Sequence, residues 1–93
     1  MRTIEVGDVV RSTQGRDRGR CFFVLEADAR RVTLADGKLR KLASPKRKNR
    51  RHVTFVLRPD CPVRDKVLQG RLPIDAEVRK SLAALLAAGD AEG

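Results

Sequence analysis

The stretch Val9-Val10-Arg11-Ser12-Thr13-Gln14-Gly15-Arg16-Asp17-Arg18-Gly19-Arg20-Cys21-Phe22-Phe23-Val24-Leu25-Glu26 decides how this chain is read. Val9 and Val10 follow a Gly7-Asp8 step and belong to a first strand over Val6 to Ser12. Arg20 to Glu26 is short, aromatic and β-branched, which predicts a second strand. Between them, Gly15 and Gly19 bracket three charged residues. Glycine tolerates positive φ, so this spacing predicts a tight, exposed loop.

Working outward, Arg31 to Ala35 reads as a third strand, with Val32 and Leu34 on one face. Asp36-Gly37 is a two-residue hairpin signal. It predicts a fourth strand over Lys38 to Ala43, bulged because Leu39 and Leu42 break strict alternation. Ser44-Pro45 ends that strand, and Lys46-Arg47-Lys48-Asn49-Arg50-Arg51 reads as a basic connector. His52 to Leu57 is the fifth strand, alternating through Val53, Phe55 and Leu57. Five short strands predict a strongly bent antiparallel barrel, because a flat sheet of this size would expose too much apolar face.

The last third of the chain has a helical period. Pro62 to Gln69 predicts a short helix stopped at Gly70. Asp75 is the expected N-cap of a second helix. Ile74, Val78, Leu82, Leu85 and Leu86 fall on one face, and Gly89 is expected to end it, with Asp90 to Gly93 frayed. That face either packs on the barrel or docks a protein partner. A mainly β unit over residues 1–58 and a helical extension over 59–93 form a single domain, since 93 residues support one modest core.

Charge narrows the function. The net charge is +9. Residues 11–51 carry 14 Lys or Arg against 4 Asp or Glu, whereas the other 52 residues carry 7 against 8. The whole excess lies on one segment, the footprint expected for a polyanion. An enzyme is not expected: His52 is the only histidine, Cys21 and Cys61 are far apart, and no Gly-rich loop opens a helix. No metal or cofactor is expected either. Met1 to Glu5 lacks an apolar stretch and the longest apolar run is Leu82 to Ala88, so a cytoplasmic chain without a membrane span is expected.

The residues Val6-Gly7-Asp8-Val9-Val10, Gln14-Gly15-Arg16-Asp17-Arg18-Gly19-Arg20 and Val24 resemble the KOW motif of ribosomal proteins and transcription elongation factors. Residues 4–57 look more like the bacterial KOW-domain RNA-binding proteins, which are similar to an archaeal and eukaryotic large-subunit ribosomal protein family. Asp36-Gly37, Leu39-Arg40-Lys41 and the basic run after Pro45 fit that group, and Leu72 to Lys80 resembles its helical tail. Phe22 stands where the usual KOW pattern has another glycine, and the bacterial group tolerates an aromatic run there. The resemblance implies an SH3-like five-stranded barrel with a C-terminal helical extension, and binding to RNA.

Candidate contact residues follow. Arg16, Arg18 and Arg20 would lie on one side of an extended segment, with the backbone at Gly15 and Gly19 open to close approach. Arginine forks suit phosphate and exposed bases. Lys46, Arg47, Lys48, Arg50 and Arg51 form a second cationic element, with Arg40 and Lys41 beside it. Arg30 and Arg31 fall in a turn and carry less weight. There is no Trp or Tyr, and Phe22, Phe23 and Phe55 sit in apolar runs, so structured RNA is favoured over threaded single strands. Ribosomal RNA or the ribosome is the expected partner. The rival expectation is a protein-interaction adaptor of the transcription or translation machinery.

Overall fold

The computed structural model describes residues 3–92. Five strands form one antiparallel sheet: β1 Val9–Ser12, β2 Cys21–Ala27, β3 Arg31–Ala35, β4 Lys46–Asn49 and β5 Val53–Leu57. A 3-10 turn over Arg50–His52 joins β4 to β5, and two helices follow, α1 Pro62–Leu68 and α2 Asp75–Glu92. The sheet order is β4-β3-β2-β1-β5. The two edge strands do not pair with each other, so the sheet is curled but open. Register shifts between Val9 and Val10 and between Val24 and Glu26 supply the bends.

The fourth strand is not the one the sequence pattern predicts. Residues 38–43 form turns, and the supposed basic connector supplies β4. Two local causes are visible. The Asp36 carboxylate accepts the backbone N–H groups of Lys38 and Arg40, both at 2.9 Å, which ties up donors a strand ladder would need. Leu42 N–H is taken by Asp75 Oδ1 at 2.8 Å. β3 instead pairs with four polar residues, Val32 opposite Lys48 and Leu34 opposite Lys46. Opposed residues share a face, so both lysines lie on the core side of an edge strand. Lysine stems can cover apolar neighbours while the ammonium reaches a polar site.

The run Phe22-Phe23-Val24 is continuously apolar because both faces of β2 are covered. Phe22 and Val24 join Ile4, Val10, Val32, Leu34 and Val53 inside the curl. Phe23 joins Val9, Val63, Val78 and Leu82 on the other side, beneath the helices. Cys21 and Cys61, both free thiols, border this second cluster.

The apolar face of α2 therefore packs on the sheet. Val78 and Leu82 are buried, Leu85 is partly so, and Ile74, which precedes the helix, is exposed. Asp75 is the first helical residue, and its carboxylate holds Leu42. Glu77 accepts from Ile74 N–H at 3.2 Å and from Lys66 Nζ on α1. The helix continues past Gly89 to Glu92, since one interior glycine costs only about 1 kcal/mol. Gly93, expected to fray, lies outside the described residues. Among the described residues, no helix is long and apolar enough to cross a membrane.

Gly37 has a second role besides turning the chain. A Cβ there would lie 2.2 Å from the Asp75 carbonyl oxygen and 3.0 Å from Arg79 N. The absence of a side chain lets α2 rest directly on the 36–44 loop.

Candidate nucleic-acid interface

Gly15 and Gly19 adopt φ of 91° and 87°, and the segment between them is a closed turn. Arg18 N–H donates to Gly15 O, Arg20 N–H to Asp17 O, and Gly19 N–H to Ser12 O at 2.8 Å. The segment is thus not extended, and Arg16, Arg18 and Arg20 are not aligned by strand alternation. They are exposed because the turn directs its one acid, Asp17, inward.

Asp17 anchors the turn to β4. Ser12 Oγ donates to Asp17 Oδ1 at 2.6 Å, and Lys48 Nζ donates to the same oxygen at 2.9 Å. Lys48 Nζ also donates to Gln14 O at 2.6 Å. Lys46 Nζ stands 3.1 Å from Asp17 Oδ2, an ion pair in which Oδ2 accepts no well-directed hydrogen bond. Burial pushes the Asp17 carboxyl up, but Ser12, Lys48 and Lys46 outweigh it and hold the group well below the usual carboxylate range.

This geometry sorts the cationic residues. Lys48 is buried, its side chain 7% exposed, so its ammonium is committed inside the protein and does not present itself to a ligand. Arg50 is half-buried, and its guanidinium donates to Asp28 O and to Ile4 O at 2.9 Å, tying the 3-10 turn to the chain's start. Both were expected at the surface. In β4 the alternation sends Lys46 and Lys48 inward and Arg47 and Asn49 outward.

Four of the expected residues come together. Arg16 and Arg20 from the turn, Arg40 from the 36–44 loop and Lys46 from β4 line one open groove of about 350 Å³. Asp17, Leu39 and Phe22 complete its walls. Arg18 and Lys41 are exposed on the same two loops but do not line it.

Arg47 and Arg51 lie elsewhere. Arg47, opposite Thr33, forms an exposed ion pair with Asp28 at 3.5 Å. Arg51 shares a second, polar recess with Ala29, Arg30, Asn49 and Arg50. Asp28 accepts Arg31 N–H at 2.7 Å and Arg30 N–H at 2.8 Å, and these bonds lower its pKa.

Sequence reasoning missed two contributors. Asp17 reads as one more loop charge, and only the tertiary fold makes it the anchor. Leu39 reads as a strand core residue but is 56% exposed at the groove. Away from the interface, Asp8, fully buried, is gripped by Arg58 at 2.7 and 3.0 Å. That pairing raises the Arg58 pKa and ties the end of β5 to the start of β1. Among the described residues, no three His, Cys, Asp or Glu side chains gather to hold a metal ion.

A scan against protein-family models finds none that matches the chain, and a search of curated proteins returns no significant match.

Proposed function

We propose that this chain is a non-enzymatic RNA-binding module of the KOW type, built on an SH3-like barrel and acting on ribosomal RNA. The observation that carries the reading is the convergence of Arg16, Arg20, Arg40 and Lys46 on one groove from three separate chain segments. Lys46 is paired with Asp17, so the three arginines carry the excess charge; like charges repel, and gathering them is favourable where a polyanion neutralises them. Arg18 and Lys41 flank the groove and extend the cationic surface over both loops.

The mechanism is positioning. The Asp17 anchor holds the arginine turn in one shape before RNA arrives, which reduces the ordering cost of binding. The phosphate backbone supplies affinity through charge, and the rigid turn supplies register. The SH3-like reading is supported by a five-stranded antiparallel sheet bent at two bulges. The KOW resemblance favours ribosomal over other structured RNA, in the cytoplasm.

The test is a titration of structured RNA across ionic strength. Engagement of four or five cations gives a log–log slope of about −4, at roughly 0.9 per phosphate contact on a duplex. A slope near zero removes the reading. Sedimentation with ribosomal particles, competed with transfer RNA at moderate salt, tests the ribosomal assignment. Displacement by unrelated RNA as readily as by ribosomal RNA leaves only general RNA affinity. Ribosome capture that persists after RNase treatment supports the adaptor role instead.

A further inference from the structure

Leu39 is out of place in a simple phosphate track. An isolated exposed leucine is ordinary on a protein surface. This one forms a wall of a cavity whose other walls carry Arg16, Arg20, Arg40 and Lys46. It is also held in place: the Asp36 carboxylate fixes the backbone N–H groups on either side of it, at Lys38 and Arg40. A phosphate gains nothing from a leucine. An aromatic base does, because its face is apolar while its sugar and phosphate are not.

We propose that the groove receives one unpaired nucleotide of a structured RNA, its base lying against Leu39 and its phosphates held by the surrounding cations. This inference rests on the RNA-binding reading and names what the site takes. Its volume, about 350 Å³, falls at the small end of the ~300–1,000 Å³ typical of small-molecule pockets. Unstacked bases in RNA bulges and loops are commonly held on aromatic rings or on arginine planes. Here the one ring at the groove, Phe22, lies at its wall but is fully covered, so it offers no open face for stacking. Arg16, Arg20 and Arg40 remain at the groove to sandwich a base opposite Leu39. Asp17, also in the wall, is neutralised by Lys46 and Lys48 and so does not repel the incoming phosphate. A guanidinium plane and a leucine accept any base, so no base preference is expected.

The experiment compares two RNA hairpins, one fully paired and one identical but for a single bulged 2-aminopurine. Affinities are measured by anisotropy at fixed moderate salt, and the bulged base is followed by its fluorescence. The bulged hairpin is expected to bind about tenfold more tightly, because covering the apolar face of one base with Leu39 is favourable, and its fluorescence to change on binding. Leu39→Ser is expected to abolish the difference between the two hairpins. Its circular dichroism and melting temperature should match the parent, because the side chain is exposed. Equal affinity for the two hairpins, or a Leu39→Ser variant that keeps the preference, overturns the nucleotide site and leaves the RNA-binding reading standing. Binding of neither hairpin overturns both. Adenosine monophosphate competing at concentrations as low as the bulged RNA does marks a free-nucleotide site and also overturns the proposal.

Discussion

Lys48 Nζ lies 2.9 Å from Asp17 Oδ1, and the two residues are 31 positions apart in the chain. Their side chains are 7% and 11% exposed, so the pair is nearly dry. It ties edge strand β4 to the turn between β1 and β2 across the curl of the sheet. Removing one member of a buried pair leaves the other charge without its partner. Lys48→Met is therefore expected to lower stability by about 3 kcal/mol, toward the low end for broken buried pairs because Ser12 and Lys46 still serve Asp17. Urea denaturation checks this. A loss under about 0.5 kcal/mol would show that the anchor is dispensable.

The same variant separates anchoring from contact. If Lys48 only positions the turn, Lys48→Met weakens RNA binding without changing the salt slope. Arg16→Gln, Arg20→Gln and Arg40→Gln, each in an exposed side chain, should each reduce the slope by about 1 with little change in stability. A slope reduced by Lys48→Met would return that lysine to the contact surface.

Acid should loosen the turn. The folded pKa of Asp17 lies below its unfolded value, so the folded state binds fewer protons in acid. Its contribution is complete above the unfolded pKa of about 4 and is lost as pH falls through the folded value. Asp28 and Glu77 are shifted in the same direction, by backbone bonds from Arg31 and Arg30 and by Lys66 respectively. Stability is expected to decline below about pH 5. Asp17→Asn should be less stable at pH 7 and show a flatter acid branch, measured as melting temperature against pH.

Gly37 and Gly19 should respond differently to alanine. Both have positive φ, 76° and 87°, so both incur backbone strain of about 1–3 kcal/mol. At Gly19 nothing lies within 4 Å of the new Cβ, and strain is the whole cost. At Gly37 the Cβ meets backbone of Asp75 at 2.2 Å, so α2 must also move. Gly37→Ala is expected to destabilise more than Gly19→Ala and to open α2 to limited proteolysis. Equal effects would mean that the helix is not seated on the loop.

Much of the fold is legible because local rules suffice for it. The alternation in β3, the apolar run of β2, Pro62 at the start of α1 and the glycines of the 15–19 turn each carry their signal within a few residues. In β5 the alternation holds for Val53 and Phe55, but the register shift against β1 sends Leu57, with Val56, to the cluster beneath the helices. The segregated charge likewise marks one segment as cationic without any coordinates. The fourth strand was illegible for the opposite reason. Lys46-Arg47-Lys48-Asn49 has no apolar residue, and it is a strand only because β3 needs a partner and Asp17 waits where the lysine stems end. Which cations are exposed was hidden for the same reason: Lys48 and Arg47 are neighbours in sequence, and only strand pairing sends one inward and the other to solvent. Local patterns and the segregated charge therefore determine that this chain is basic, with short strands followed by helices. Burial is a property of contacts between distant segments, so only the tertiary structure decides that two expected surface cations, Lys48 and Arg50, are internal ties, and that Arg16, Arg20, Arg40 and Lys46 share one groove.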